Sequence, residues 1–104
     1  MSGRELLPPR RSAVAFDFSH NHRSYRACVS YFGGDRSRPS EIFINSHDGE
    51  SPLMDLARDA AVTASLALQH GCPIETLHGA LNRHHDGSAA GPLGAAIDAL
   101  MDSS

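Results

Sequence analysis

Residues 37–77, SRPSEIFINSHDGESPLMDLARDAAVTASLALQHGCPIETL, change from one kind of regular structure to another, and this change decides the fold. The segment SEIFINS alternates apolar and polar residues, which predicts a β-strand. After a turn that contains glycine, Ser51 is suited to cap a helix and Pro52 to occupy its first position. Gly71 is suited to end that helix in a left-handed conformation. The segment therefore predicts a strand followed directly by a helix.

The predicted helix has one broad apolar side. When residues are advanced by about 100° each, one arc contains Leu53, Leu56, Ala57, Ala60, Ala61, Ala64, Ala67 and Leu68. Away from the centre of this arc lie Arg58, Asp59, Gln69 and His70. Val62 and Leu66 form a second apolar pair on the opposite side. Either a later helix covers this pair, or it belongs to a subunit interface.

The remaining segments extend the same pattern in both directions. Alternation predicts two further strands. The first has Val14, Phe16 and Phe18 on one side. The second, SYRACVSYF, has on one side Tyr25, Ala27, Val29 and Tyr31. A second helix is predicted from Pro73, with Ile74, Leu77 and Leu81 along one side, and a third from Pro92. The order predicts an α+β fold: a three-stranded antiparallel meander followed by three helices packed on one sheet face.

Length and composition limit the class of protein. A chain of 104 residues fits one domain, which we expect over residues 13–104, after a flexible N-terminal arm over residues 1–12. The nine basic residues are all arginine and the net charge is −3, which does not favour a nucleic-acid partner. The sequence shows no transmembrane run and no signal-peptide pattern, so we expect no membrane partner and a cytoplasmic location.

Two stretches of the chain resemble the TSCPD domain, which lies at the C-terminal end of adenosylcobalamin-dependent ribonucleotide reductases and also forms small stand-alone proteins. These stretches are SRPSEIFINSHDGES and ASLALQHGCPIETLHGAL, and the resemblance spans roughly residues 23 to 82. The positions that match the family pattern are Tyr25, Pro39, Glu41, Ile42, Phe43, Ile44, Gly49, Ser65, Leu66, Ala67, Leu68, Gly71 and Pro73. The resemblance implies a relation to the reductase, and a reductase or another nucleotide-metabolism protein as partner.

The chain departs from the family at the motif that names it. Where Thr/Ser-Cys-Pro-Asp is expected, the chain reads AAGPLGAAIDAL, with Gly91, Pro92 and Leu93 in place of thiol chemistry. The resemblance therefore implies no metal site and no redox relay, and we expect no cofactor.

Few residues suggest chemistry. Cys28 and Cys72 are candidate reactive thiols, although they lack an activating motif and buried thiols are the simpler interpretation. Seven histidines invite a metal hypothesis, but His20 with His22, and His84 with His85 and Asp86, each supply too few ligands, so no metal is predicted.

Two other polar features have plain interpretations. We interpret Glu41 as an edge charge or a partner of Arg26 or Arg38, with an acid or base role as the alternative. The glycine runs and the helix N-termini at Pro52, Pro73 and Pro92 give only a weak indication of nucleotide binding.

These observations favour a non-catalytic binding or assembly module that self-associates. Its candidate interface residues are Val62 and Leu66, together with exposed parts of Leu77 and Leu81. One alternative is a thiol-active accessory enzyme of ribonucleotide reduction that uses Cys28 or Cys72. Another is nucleic-acid or nucleotide binding through the arginine residues of the arm with Arg26, Arg36 and Arg38.

Overall fold

A computed structural model describes residues 13–102, so the predicted arm over residues 1–12 lies outside the described residues. The chain forms three strands, β1 (Ala13–His20), β2 (Arg23–Tyr31) and β3 (Pro39–Ser46). Three helices follow, α1 (Pro52–Gln69), α2 (Ile74–Ala80) and α3 (Pro92–Asp102). This is the predicted α+β fold, with the helices packed on the sheet.

The sheet is antiparallel throughout, in the order β1-β2-β3, so β1 and β3 are its two edges. A two-residue turn joins β1 to β2, and both of its residues have positive φ, 50° for Asn21 and 64° for His22. Two consecutive left-handed residues give the turn type whose twist matches that of paired strands. Asparagine tolerates this conformation better than most residues do.

The core lies between the sheet and the helices. From the sheet it takes Tyr25, Ala27, Val29, Tyr31, Ile42 and Ile44, and from the helices Met54, Ala57, Ala61, Ala64, Leu68, Ile74, Leu93, Ala96 and Ile97. Helix α1 packs along β3, and α3 contacts β1. The small alanine side chains of α1 let this helix approach the edge strand closely.

The ends of α1 follow the sequence prediction. The Ser51 hydroxyl accepts a hydrogen bond from the Met54 N–H at 3.1 Å, and Pro52 is the first helical residue. After the helix, Gly71 has a φ of 100°, which disfavours any residue with a side chain.

The predicted orientation of α1 about its axis is confirmed only in part. Half of the predicted arc is buried, namely Ala57, Ala61, Ala64 and Leu68. Leu53 and Leu56, placed on the buried arc from the sequence, are exposed, whereas Gln69, placed away from it, is buried together with Met54 and Ser65. The buried side is turned by about 70° from the arc of highest hydrophobicity. We attribute this difference to the polar contact between α1 and the edge of β3, described below.

Two element boundaries also differ from the prediction. The second strand ends at Tyr31, where its register with β3 shifts, and Phe32 begins a three-residue 3-10 turn. Helix α2 begins at Ile74, with Pro73 as its N-cap, and ends before Leu81.

Candidate functional site

Helix α1 covers part of the outer edge of β3 with two polar side chains. The Ser65 hydroxyl accepts from the Ile42 N–H at 2.9 Å and donates to the Ile42 carbonyl oxygen at 3.1 Å. The Gln69 side-chain amide donates to the Ser40 carbonyl oxygen at 3.0 Å. An edge strand presents backbone groups that no neighbouring strand satisfies, and here the helix satisfies them. Ser65 and Gln69 are therefore buried where they can bond the backbone groups at the edge of β3.

Beyond this contact, α1 and β3 expose three large apolar side chains. The exposed fractions are 52% for Val62, 42% for Leu66 and 46% for Phe43. Phe43 and Val62 line one groove of about 240 Å³ with Ile44 and Ala61, and Leu66 follows Val62 by one helical turn. We call Phe43, Val62 and Leu66 the α1 surface.

The rim of this groove is polar, and the charge of Arg58 on this rim is paired with that of Glu50. Arg58 donates to Glu50 at 2.9 Å and to the Asn45 side-chain oxygen at 3.3 Å. The Arg58 guanidinium lowers the pKa of Glu50 below its ordinary value. The groove therefore presents apolar side chains beside an ion pair, and both members of this pair belong to the same chain.

Each candidate interface residue can now be placed. Val62 and Leu66 are exposed, so the alternative that α2 or α3 covers them is wrong. Leu77 and Leu81 are half-buried and pack against the core. None of the residues that line the groove beside Val62 belongs to α2. The structure does not bring the two pairs together, and it adds Phe43 to the first pair.

The two thiols lie in different layers. Cys28 is paired with Ala15 and Phe43 on the sheet face away from the core, where it is half-buried. Cys72 lies at the junction of α1 and α2, with its sulfur 3.6 Å from the Pro73 carbonyl oxygen. Both cysteines are free. The geometry does not favour a redox pair between them.

Glu41 is not an exposed edge charge, because it is buried. The guanidinium of Arg26, one of its two predicted partners, instead donates to Asp17, with Arg26 Nε 2.9 Å from Asp17 Oδ1. Arg26 therefore pairs with Asp17 rather than with Glu41, and the pairing of Glu41 with Arg38 stays a prediction.

Asp17 is the centre of a polar cluster that sequence reasoning missed. His47 Nε2 lies 3.1 Å from the same Asp17 oxygen that Arg26 contacts. Hydrogen bonds from Arg26 and His47 lower the pKa of Asp17 to about 2. The cluster joins β1, β2 and the turn after β3, and its members are exposed. The alternation of residues along β1 and β2 could have indicated the contact between Asp17 and Arg26, but no sequence pattern indicates that His47 joins it.

A second cluster of the same kind holds the loop before α3. Asp98 on α3 accepts from Arg83 at 2.7 and 3.0 Å and lies 2.9 Å from His78 Nε2. The Arg83 guanidinium lowers the pKa of Asp98 below its ordinary value. These contacts connect α2, the loop and α3, which is a structural arrangement.

The predicted histidine and arginine groups are dispersed. Within residues 13–102, no three His, Cys, Asp or Glu side chains are arranged to hold a metal ion. The Arg36 guanidinium lies 5.1 Å from the centre of the Tyr31 ring, and that of Arg38 lies 4.6 Å from the Phe32 ring. Of the arginines considered for nucleic-acid binding, Arg36 and Arg38 thus lie over aromatic rings and Arg26 pairs with Asp17, while those of the arm lie outside the described residues.

Comparisons of the chain with protein-family models, with curated proteins and with solved structures found no match. Among the helices of residues 13–102, none has the length and apolar character needed to cross a bilayer.

Proposed function

We propose that the chain is a non-catalytic binding and assembly module that docks another protein on the α1 surface. The single observation that carries the proposal is the exposure of Val62, Leu66 and Phe43, of which Val62 and Phe43 line one groove. Large apolar side chains grouped on the surface commonly mark interaction sites, and aromatic and aliphatic anchors supply most of the binding energy in such sites.

The electrostatics of the described residues support this assignment. The carboxyl groups with lowered pKa are surface groups held by an arginine or by a nearby serine, as in Asp35, which accepts from Ser37. Shifts of this origin are typical of structural contacts, whereas carboxyl groups in acid–base catalysis commonly have a pKa moved toward neutrality in a cleft.

The identity of the partner rests on the resemblance to the TSCPD domain. That resemblance suggests a ribonucleotide reductase or another protein of nucleotide metabolism. The matched positions include Phe43 and Leu66, two members of the α1 surface, and Ser65, which fixes the helix beside β3.

The test is a paired substitution on one helix. Val62→Glu with Leu66→Glu places two charges on the α1 surface. Leu56→Glu is the matched control, because Leu56 is 68% exposed on another side of α1. Affinity capture from native lysate, quantified by mass spectrometry, identifies proteins bound by the wild type. Circular dichroism verifies that all variants are folded.

We expect the wild type and Leu56→Glu to retain the same partner. The double variant should bind it at least about 10-fold more weakly in a direct titration with the purified partner, because charges replace apolar anchors. Equal retention by the double variant and the control contradicts the proposal.

A further inference from the structure

The two edges of the sheet differ. At the β3 edge, α1 side chains bond the outward-facing backbone of Ile42 and Ser40. At the β1 edge, Ala13, Ala15, Asp17 and Ser19 are all exposed. An uncovered edge strand is a template for pairing with a further strand.

The hydrogen bonds of Ser65 fix which backbone groups of β1 point outward. In an antiparallel sheet, successive residues direct their N–H and C=O groups alternately to the two sides. Because the groups of Ile42 point away from β2, those of its partner Val29 point toward β1, where Val29 pairs with Val14. The alternate residues of β1 therefore point outward, and these are Ala13, Ala15, Asp17 and Ser19. No hydrogen bond from residues 13–102 reaches the backbone groups of these four residues.

We infer that β1 is a homodimerisation site, at which the occupant is β1 of a second copy paired antiparallel about a two-fold axis. This inference is independent of the proposed function, since it uses the opposite edge of the sheet. It joins two three-stranded sheets into one sheet, with β1 next to β1 of the second copy at its centre.

The sequence of β1 selects one register for this pairing. With the two-fold axis at Phe16, Ala15 lies opposite Asp17 of the second copy, and Ala13 lies opposite Ser19. This register pairs every outward-facing residue and keeps the two Asp17 carboxylates from lying directly opposite each other. Shifting the axis by one residue toward Asp17 would place them opposite, which is unfavourable.

The other face of β1 gives a matching apolar contact. In the same register, Phe16 lies opposite Phe16 of the second copy, and Val14 lies opposite Phe18. All three side chains are half-buried in the single chain, although they pack against the core. Aromatic and β-branched cross-strand pairs are among the more stabilising ones. A second copy thus has apolar surface to bury as well as backbone groups to bond.

The charge of β1 is also compatible with a second copy. Its only charged side chain, Asp17, is already compensated by Arg26 and His47 in its own chain. The strand carries no proline, lysine or bulge, the features by which edge strands avoid pairing. Since the α1 side chains occupy the β3 edge, pairing ends at two copies.

The test uses Ala15, whose N–H points outward. Ala15→Pro removes this donor and places a ring in the path of the second strand, while the bonds from β1 to β2 remain. Ala15→Val is the control, because it keeps the N–H. Light scattering and sedimentation equilibrium over a concentration series give the dimer dissociation constant, and circular dichroism verifies folding.

We expect dimers for the wild type and Ala15→Val, and a dissociation constant raised on the order of 30-fold or more for Ala15→Pro. Register is tested by charge: Ala15→Asp, opposite Asp17 of the second copy, should weaken the dimer about 10-fold, and Ala15→Lys should not. If Ala15→Pro does not fold, the comparison of Ala15→Asp with Ala15→Lys still tests whether β1 pairs with β1 of a second copy.

A wild type that remains monomeric at millimolar concentration overturns the inference, and leaves the β1 edge to an extended segment of a different protein. Undiminished association of both Ala15→Pro and Ala15→Asp also overturns it. The double substitution at Val62 and Leu66 should leave the dimer intact, so failure of this inference and failure of the proposed function are separate outcomes.

Discussion

Replacing Ser65 with alanine tests whether α1 is oriented by its contact with the β3 edge. The hydroxyl is buried and makes two hydrogen bonds to Ile42, at 2.9 and 3.1 Å. Ser65→Ala leaves the N–H of a buried residue without a partner, which costs about 1–3 kcal/mol. Alanine recovers about 0.5 kcal/mol of helix propensity. The expected net loss is therefore about 0.5–2.5 kcal/mol of unfolding free energy.

A loss of this size is measurable. For a domain of this length it lowers the Tm by roughly 2–20 °C. Urea denaturation followed by circular dichroism should show a lower midpoint with an unchanged m value, because the folded and unfolded surfaces hardly change.

The control for Ser65→Ala is a hydroxyl on the same helix that does not reach the sheet. Thr63 donates to the Asp59 carbonyl oxygen at 2.9 Å, and this contact is exposed. Thr63→Ala should change stability by less than about 0.5 kcal/mol. If Ser65→Ala is as stable as Thr63→Ala, the edge contact does not orient α1 and our explanation of the buried side is wrong.

Two further substitutions test local electrostatics and capping. The folded state depresses the pKa of Asp17 from 3.8 to about 2, so the carboxylate stabilises the fold above its unfolded pKa and this contribution is lost as the pH falls toward 2. Asp17→Asn should therefore show a weaker dependence of unfolding free energy on pH between about 4 and 2 than the wild type, in denaturation at fixed pH values; identical slopes refute this. Ser51→Ala removes the hydroxyl that accepts from Met54 N–H and should cost about 1 kcal/mol, measured by thermal denaturation. Retention of full stability by this variant would show that the cap contributes nothing.

The fold was predictable because local patterns and packing agree over most of the chain. Alternation located the three strands, and Ser51 and Gly71 marked the ends of α1. The orientation of α1 was not predictable, since hydrophobicity favoured burial of Leu53 and Leu56. Which side of a helix faces the sheet depends on what the sheet presents. Here it presents unsatisfied backbone groups, a property of the strand order rather than of the helix sequence.

The candidate site was predictable in part for a related reason. Val62 and Leu66 stood out because they form an apolar pair outside the main apolar arc, and both are exposed. Phe43 could not be assigned to this pair from spacing alone, since it belongs to another element and meets Val62 only after α1 packs along β3. Likewise, nothing in the sequence distinguishes the open edge from the covered one until Ser65 is seen bonded to Ile42.

The contact between Ser65 and Ile42 also bears on how the protein opens. A strand held by a neighbouring strand on one side and by a helix on the other cannot expose the amide of Ile42 to deuterium until the helix moves away. A short turn joins β3 to α1, so α1 can move away from the strand and return to it in one local opening event. We therefore expect the Ile42 amide to exchange slowly, at a rate that reports the free energy of moving α1 away from β3.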